Sequence, residues 1–274
     1  MARAGSGREI ARKTVTRPFV TALDLLNRRG PAIGVRLARL TRKSRHLVHP
    51  KHLVDVPGHD WYLEHLEPAD SVLDVGCAHG AHAFGAARRV KRVVGIDYDE
   101  THLRAAVERA RALGLDNVRL IAWDVTHPFP FPDATFDAVL FLDVIEHLEP
   151  RRQVLDEIAR VLKPDGRLLV SGPNRDTSWR RRLRAAGLFA FSDPDHKIEY
   201  TRDEFLAELA AGGFAPASPV MPVVYDTPWA GLIDIVGGVS LALYARLVRW
   251  KRDAAIRHAQ ESTGFRVVAR RRAR

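Results

Sequence analysis

Residues 70–80 read Asp-Ser-Val-Leu-Asp-Val-Gly-Cys-Ala-His-Gly, and the rest of the chain is organised around them. A short apolar run, formed by Val72, Leu73 and Val75, has the length of a buried parallel strand. Gly76 and Gly80 follow this run, and an alanine-rich segment typical of a helix comes next. This order predicts a nucleotide-binding unit, because glycine permits close approach of the backbone and a helix N-terminus offers free N–H groups.

The residues in and before this turn favour a cationic ligand. Asp74 lies at the carboxyl end of the strand, just before the turn. An acidic side chain there suits a positively charged ligand better than a pyrophosphate. The dinucleotide fingerprint requires Gly-x-Gly-x-x-Gly/Ala, and Ala78 replaces its middle glycine. Cys77 is the one cysteine, which excludes an internal disulfide framework, and we interpret it as a small filler beside the nucleotide. A strand–turn–helix corner without a ligand is the alternative.

Four more apolar segments alternate with helical segments after the turn, and acids end three of them. The first ends at Asp97, roughly 20 residues past the glycines, where an acid can accept hydrogen bonds from ribose hydroxyls. The next ends in Trp123-Asp124, and the one after it ends at Asp143. The alternation predicts an α/β fold with a mostly parallel sheet.

Five motifs then carry a resemblance to a known family. They are Val-Leu-Asp-Val-Gly-Cys-Ala-His-Gly at 72–80, Gly-Ile-Asp at 95–97, Asp-Ala-Thr-Phe-Asp-Ala-Val at 133–139, Asp-Val-Ile-Glu-His-Leu at 143–148 and Arg-Val-Leu-Lys-Pro-Asp-Gly-Arg-Leu-Leu-Val at 160–170. Their order, within roughly residues 60–215, resembles class I S-adenosylmethionine-dependent methyltransferases. The similarity is greatest to the small-molecule branch that includes quinone-biosynthesis methyltransferases. Ala78 departs from the pattern, since the family usually has glycine there.

The resemblance implies a fold, a cofactor and a binding site. The fold is a Rossmann-like, doubly wound, mostly parallel seven-stranded sheet, and the cofactor is S-adenosyl-L-methionine. In this assignment Asp97 binds the ribose, Tyr98 lies against ribose or adenine, and Asp124 accepts the adenine amino group, with a helix N-cap as its alternative role. The full set of expected cofactor-binding residues is Asp74, Gly76, Cys77, Ala78, Gly80, Asp97, Tyr98, Trp123, Asp124, Val125 and Asp143.

Residues for the acceptor side are expected at the end of the fourth strand. The resemblance implies that this strand end faces the transferable methyl group, which brings Glu146 and His147 near the chemistry. An imidazole accepts protons near neutral pH, so His147 is a candidate general base, and orienting the loop is its alternative role. The resemblance also implies that segment 175–200 closes over the substrate, with His196 and Tyr200 directed inward.

The net positive charge of the chain is concentrated at its ends. Residues 1–52 hold 13 Lys/Arg and 2 Asp/Glu within a chain of net charge +10. Apolar residues at helical spacing in this extension predict two short amphipathic helices, broken at Gly30-Pro31. A methyltransferase domain is expected over 53–274, with its core at 68–215, a sixth strand at 220–224, an apolar helical insertion at about 228–258 and a last strand at about 264–270.

These features narrow the possible partners. The basic amphipathic segments suit an anionic membrane surface, and solvated termini are the alternative. The arginines at 180–182 and 184 suit an acceptor phosphate or an exposed helix face. The insertion at 228–258 suits a lid, a dimer face or an interfacial element. No metal site is expected, because His46, His49 and His52 lack regular ligand spacing.

The predicted reaction is methyl transfer to a hydroxyl or activated carbon of a lipid-like, isoprenoid or glycan-linked small molecule. A cytoplasmic protein is expected, because the first 20 residues lack a secretory apolar region and the longest apolar stretch, 235–245, is too short to span a bilayer. An NAD-dependent dehydrogenase is disfavoured by Ala78. The chain lacks the Asn/Asp-Pro-Pro-Tyr/Phe motif of methyltransferases that act on the amino groups of bases. An RNA methyltransferase is therefore the alternative, and no stable nucleic-acid partner is expected. A cofactor-binding scaffold without catalysis remains an alternative.

Overall fold

The computed structural model describes residues 5–45, 47–54 and 60–272. Its helices are α1 Gly5–Leu40, α2 Ala81–Ala87, α3 Glu100–Ala112, α4 Arg151–Val161, α5 Ser178–Ala185, α6 Arg202–Ala211, α7 Ala230–Val239 and α8 Leu241–Arg257. Its strands are β1 Ser71–Val75, β2 Arg92–Asp97, β3 Val118–Ala122, β4 Phe136–Leu142, β5 Leu162–Pro173, β6 Phe214–Pro216, β7 Met221–Pro222 and β8 Gly264–Arg271. Single 3₁₀ turns lie at Pro50–His52, Trp61–His65, Ile145–His147 and Ala259–Glu261.

The chain divides into two compact units with opposite net charge. The helical unit comprises Met1–Pro57, Arg175–Ser192 and Pro222–Thr263, and the sheet unit comprises Gly58–Asn174, Asp193–Met221 and Gly264–Arg274. By sequence the helical unit has 23 Lys/Arg against 8 Asp/Glu, and the sheet unit has 20 against 25. The net positive charge of the chain therefore comes from the helical unit.

The sheet confirms the expected doubly wound α/β fold. Its strand order is β3-β2-β1-β4-β5-β8-β6, with β7 paired to β8 outside this path. The first five strands are parallel, and β8 runs antiparallel to β5 and β6. The order reverses between β1 and β4, and such switch points form ligand crevices at the carboxyl ends of parallel strands.

Apolar layers cover both faces of the central strands, which is why β1 is buried along its whole length. Leu73 and Val139 contribute to the core cluster on one face. Val72 and Ala138 contribute to the cluster on the other face, as the alternation of side chains in a strand requires. This two-sided core holds the loops that carry the site on a rigid base.

The prediction of seven strands was incomplete at the antiparallel edge, where eight strands are found. The predicted sixth strand at 220–224 is reduced to Met221–Pro222, and Phe214–Pro216 forms a strand that the sequence pattern did not indicate. The prolines of this region cannot donate hydrogen bonds to a neighbouring strand, which keeps both elements short. The last strand was predicted at about 264–270 and is found at Gly264–Arg271.

Helix α1 is continuous, so the prediction of two helices broken at Gly30-Pro31 was wrong. Gly30 faces α7 so closely that a Cβ atom on it would lie 2.3 Å from the Gly231 Cα atom. A Cβ atom on Gly34 would lie 2.3 Å from the Asp234 carbonyl oxygen. This backbone-to-backbone packing supports the helix through Pro31 although a proline removes one helical hydrogen bond. The apolar insertion forms α7 and α8, and none of the described helices is long and apolar enough to cross a membrane.

Candidate active site

The glycine turn after β1 adopts the backbone conformations that its sequence suggests. Gly76 and Gly80 have φ values of +73° and +75°, and a Cβ atom on Gly76 would lie 2.7 Å from the Val144 side chain. Ala78 also has a positive φ, +43°, at the position where the resembling family has glycine. A left-handed conformation costs a non-glycine residue roughly 1–2 kcal/mol, so Ala78 carries strain that glycine would avoid.

Asp97 links the end of β2 to this turn. Its Oδ2 atom accepts a hydrogen bond from the Ala78 N–H at 2.8 Å, and its Oδ1 atom accepts one from the Asp99 N–H at 2.9 Å. Asp97 is 8% exposed, and the neighbouring Tyr98 is 79% exposed. Each carboxylate oxygen has a second lone pair, so Asp97 retains acceptor capacity for ligand hydroxyls.

Asp74 is buried beside the first turn of α2. Burial raises the pKa of its carboxyl group to about 7, while the Ala83 N–H lowers this pKa and the Asp97 charge raises it. Among the described residues its Oδ2 atom has no hydrogen-bond partner. A buried acid with an open acceptor oxygen is stabilised in its charged form by a cationic ligand. Burial also raises the pKa of the Cys77 thiol far above its usual range, which agrees with a filler role and not a nucleophile.

The residues after β3 form a tight loop. Asp124 Oδ1 accepts hydrogen bonds from the Thr126 N–H at 2.9 Å and from the Thr126 hydroxyl at 2.8 Å, and these bonds lower the Asp124 pKa. Trp123 Nε1 is buried without a partner among the described residues, and Val125 is buried. Asp124 therefore caps this loop and not a helix, because the next element is β4, and its exposed side chain retains further acceptor capacity.

The residues predicted for the acceptor side come together after β4. We call Glu146, His147, His196 and Glu199 the acid–imidazole cluster. His196 Nδ1 lies 2.9 Å from Glu199 Oε1, and His196 Nε2 lies 3.9 Å from Glu146 Oε1. The His147 and His196 rings meet edge to face, with 4.7 Å between centroids. The cluster thus joins two segments that are far apart in the sequence.

Backbone hydrogen bonds hold these segments in place. The Glu146 carbonyl oxygen accepts a hydrogen bond from the Lys197 N–H at 2.8 Å. The Glu146 side chain is 2% exposed, and burial, together with the charges of Asp143, Glu199 and Asp193, raises its pKa to about 8. Glu146 is therefore largely protonated at neutral pH unless a cation compensates its charge.

Tyr200 lies below this cluster in the core. Its ring packs against Phe205 at 5.4 Å between centroids, and its buried hydroxyl has no hydrogen-bond partner among the described residues. Burial raises the Tyr200 pKa well above its usual range, so the hydroxyl remains a proton donor at neutral pH. Tyr200 is 1% exposed, so its hydroxyl group is not a solvent-facing base.

Asp143 is positioned by a residue that the sequence analysis missed. Asp143 has a φ of +55°, and its Oδ1 atom accepts a hydrogen bond from the Ser171 hydroxyl at 2.7 Å. The Asp143 N–H in turn donates to Ser171 Oγ at 3.0 Å. The available signal was strand pairing, because Ser171 pairs with Leu142 across β4 and β5. Glu199 was also missed, although it lies only three residues after His196 in the sequence.

The arginines of α5 were expected to bind a phosphate or to form an exposed face, and Arg181, Arg182 and Arg184 are exposed. Arg180 Nε lies 3.4 Å from Asp226 Oδ2, and its Nη1 atom donates to the Ala190 carbonyl oxygen at 2.9 Å. Arg181 lies 3.5 Å from Glu261 Oε1. Arg180 and Arg181 therefore link α5 to the segments that carry Asp226 and Glu261.

Comparison with known proteins identifies the family. The methyltransferase domain family matches residues 73–170. A probable S-adenosylmethionine-dependent methyltransferase of Mycolicibacterium smegmatis is 35% identical over 192 residues, which cover 61% of this chain and 70% of the relative. The chain belongs to the S-adenosylmethionine-dependent methyltransferases. Its fold, its enzymatic class and its cofactor, S-adenosyl-L-methionine, are thereby confirmed as predicted.

Two further proteins show how far this methyltransferase is similar to others. The 27-O-demethylrifamycin SV methyltransferase of Amycolatopsis mediterranei is 31% identical over 170 residues, which cover 60% of each chain. The crystal structure of a SAM-dependent methyltransferase from Aquifex aeolicus has a TM-score of 0.53 at 20% identity and covers 80% of this chain and 95% of that one. The second similarity concerns the fold alone. The methyltransferase spans only 60% of the length of the rifamycin enzyme.

Proposed function

We propose that this methyltransferase methylates a hydroxyl group of a lipid-like, isoprenoid or glycan-linked small molecule at an anionic membrane surface. The observation that carries the hydroxyl acceptor is the acid–imidazole cluster after β4, in which His147 is exposed and can meet a substrate. A hydroxyl group needs a base to become a strong nucleophile, whereas an activated carbon, the alternative acceptor, needs less help.

We assign cofactor binding to the carboxyl ends of β1, β2, β3 and β4. The buried, unpartnered Asp74 oxygen and the positive-φ glycine turn fit a cationic nucleoside ligand. Asp97 is assigned to the ribose, and the loop after β3 to the adenine. The proposed set is Asp74, Gly76, Cys77, Ala78, Gly80, Asp97, Tyr98, Trp123, Asp124, Val125 and Asp143.

The proposed mechanism needs positioning and one proton transfer. When bound, S-adenosyl-L-methionine supplies a methyl group activated by a positively charged sulfur. His147 accepts the acceptor's hydroxyl proton, and Glu199 orients His196 through the 2.9 Å contact. Holding the acceptor oxygen in line with the methyl–sulfur bond contributes several kcal/mol, at an upper range of about 7–11 kcal/mol for well-oriented reactants.

We expect radioactive methyl groups from S-adenosyl-L-methionine to enter the organic phase of a polar-lipid extract. His147→Ala should lower this transfer by about 100-fold or more, because general base catalysis contributes about 10²–10⁴-fold. Cofactor affinity, measured by calorimetry, should stay unchanged. His258→Ala, an exposed histidine of the helical unit, is the matched control and should retain full activity. A His147→Ala enzyme as active as the parent would remove the base role.

The helical unit supplies the argument for a membrane surface. Of the 14 large apolar residues exposed among those described, 12 belong to this unit. Leu25 and Ile33 on α1 are exposed and share one helical face with the exposed Arg29 and Arg36. A helix that mixes exposed apolar side chains with arginine binds the interface of an anionic bilayer.

The proposed membrane contact of α1 predicts that removing its exposed arginines weakens vesicle binding. Arg29→Glu/Arg36→Glu should weaken binding to phosphatidylglycerol-containing vesicles by at least about tenfold, because each basic residue near such a surface contributes about 1 kcal/mol. The measurement is co-sedimentation with these vesicles and with neutral phosphatidylcholine vesicles. Arg104→Glu/Arg111→Glu, on α3 of the sheet unit, is the charge-matched control and should bind as the parent does. Equal binding of the parent to neutral vesicles would contradict the electrostatic part of the proposal.

A further inference from the structure

We propose that Glu146, His147 and His196 form a binding site for one divalent first-row metal ion. Each of these residues offers one ligand atom, and the three ligand atoms lie within 4.8 Å of one another. Two imidazoles and one carboxylate are the ligands of catalytic zinc sites and of facial iron sites with open positions. No such site was expected from the sequence, because it forms only when the segment 193–200 folds against the 3₁₀ turn Ile145–His147.

The distances suit a shared ion better than direct pairing. His196 Nε2 and Glu146 Oε1 are 3.9 Å apart, which is too long for a hydrogen bond. Two ligands of one zinc ion, each about 2.1 Å from it, lie about 3.4 Å apart in tetrahedral geometry. Small side-chain rotations therefore bring the three ligand atoms to bonding distance.

Glu199 supplies the supporting contact of such a site. Metal-binding histidines almost always donate their second ring N–H to a carboxylate, a carbonyl or water. Glu199 Oε1 lies 2.9 Å from His196 Nδ1, and Glu199 is 2% exposed. This contact directs His196 Nε2 toward Glu146 and favours the tautomer that coordinates metal.

The buried carboxyl group of Glu146 is the independent indication that this cluster binds a cation. Glu146 is 2% exposed, and its Oε2 atom has no hydrogen-bond partner among the described residues. A buried carboxyl oxygen without a hydrogen-bond partner is costly, and coordination of a metal ion satisfies it.

The role of the ion rests on the proposed function, since it acts on the acceptor. With three protein ligands, an open position remains for the acceptor oxygen. Metal coordination lowers the pKa of that hydroxyl, so its O–H bond breaks and the proton passes to water. The oxygen then bonds to the methyl carbon, while the carbon–sulfur bond breaks and leaves its electron pair on sulfur. While the ion is bound His147 serves as a ligand, and it acts as the base of the proposed mechanism only where methyl transfer proceeds without metal.

The test begins with the 274-residue chain, freed of metal with EDTA and dialysed. Co²⁺ is titrated and followed by its visible absorption, and Zn²⁺ is titrated by calorimetry. We expect one ion per chain and an affinity at least tenfold weaker in His196→Ala and Glu146→Gln. Glu199→Gln should lose about 10–100-fold, the usual cost of removing such a supporting group. His127→Ala and His258→Ala are controls and should bind metal as the parent does.

The outcomes separate this site from the proposed function. Unchanged S-adenosyl-L-methionine affinity in each variant shows that the sheet unit is folded. Absence of one-to-one binding in the parent, or full metal affinity in His196→Ala, overturns the site. Metal binding with methyl transfer that survives EDTA overturns the acceptor role and leaves His147 as base. Metal binding without methyl transfer to any lipid fraction sustains the site and contradicts the proposed function.

Discussion

Asp97→Ala is expected to raise the dissociation constant for S-adenosyl-L-methionine by at least about 100-fold. Hydrogen bonds to a charged group contribute about 1.5–3 kcal/mol each, and a factor of ten in affinity corresponds to about 1.4 kcal/mol. The substitution removes the proposed contacts to the two ribose hydroxyls. It also releases the Ala78 and Asp99 N–H groups, which Asp97 holds at 2.8 and 2.9 Å.

Calorimetry with S-adenosyl-L-methionine, S-adenosyl-L-homocysteine and NADH measures this effect. Asp116→Ala, an exposed acid at the opposite end of the parallel strands, is the control and should bind both adenosyl compounds as the parent does. Ala78→Gly should bind at least as well as the parent, because glycine adopts the φ of +43° without strain. Unchanged affinity in Asp97→Ala would remove the ribose role, and a parent without adenosyl binding would favour a scaffold.

The sheet and the candidate cofactor crevice were predictable because their signals are local. Asp74, Asp97 and Asp143 each follow a short apolar run, and in a parallel sheet the ends of such runs meet at one edge. Pairing of Leu73 with Val94 and with Val139 brings β1, β2 and β4 into register. Gly76 and Gly80 needed no long-range information, because glycine adopts positive φ values freely, whereas the positive φ of Ala78 does not follow from its residue type.

The groups that sequence reasoning missed depend on long-range contacts. Ser171 reaches Asp143 only because β4 and β5 are neighbours, and Glu199 matters only because His196 lies beside Glu146. The loop histidines singled out by sequence behave differently. His49 Nδ1 accepts a hydrogen bond from the Lys51 N–H at 3.1 Å, while His46 and the His52 side chain lie outside the described residues. The proposed ligands Glu146, His147 and His196 come together only in the folded chain, so spacing along the sequence did not indicate them.

The continuity of α1 also depends on long-range contacts. Gly30-Pro31 is a strong local signal for a helix end, because glycine is flexible and proline lacks an N–H group. Tertiary packing overrides it, since the absence of a side chain at Gly30 permits contact with the α7 backbone. The feature that suggests a break in the sequence is thus the one that makes the helix pair possible.

Gly231→Val is accordingly expected to destabilise the helical unit by more than about 4 kcal/mol, a size reached only by severe overpacking or loss of a buried network. A Cβ atom on Gly231 would lie 2.2 Å from the Leu26 carbonyl oxygen and 2.7 Å from the Asn27 Cα atom. These are backbone atoms, so the clash is relieved only by separating α1 from α7. Separation also breaks the hydrogen bond from the Gly231 N–H to Asn27 Oδ1, 2.8 Å long.

Urea unfolding and limited proteolysis measure this effect, with cleavage expected first in α1 and α7. Ala32→Val is the matched control, because it adds a branched side chain to an exposed position of α1 and should cost less than about 1 kcal/mol. Because α1 carries the proposed membrane-binding arginines, Gly231→Val should also weaken vesicle binding while leaving those arginines in the sequence. Parent-like stability in Gly231→Val would contradict the close packing of the two helices, and with it the explanation for an unbroken α1.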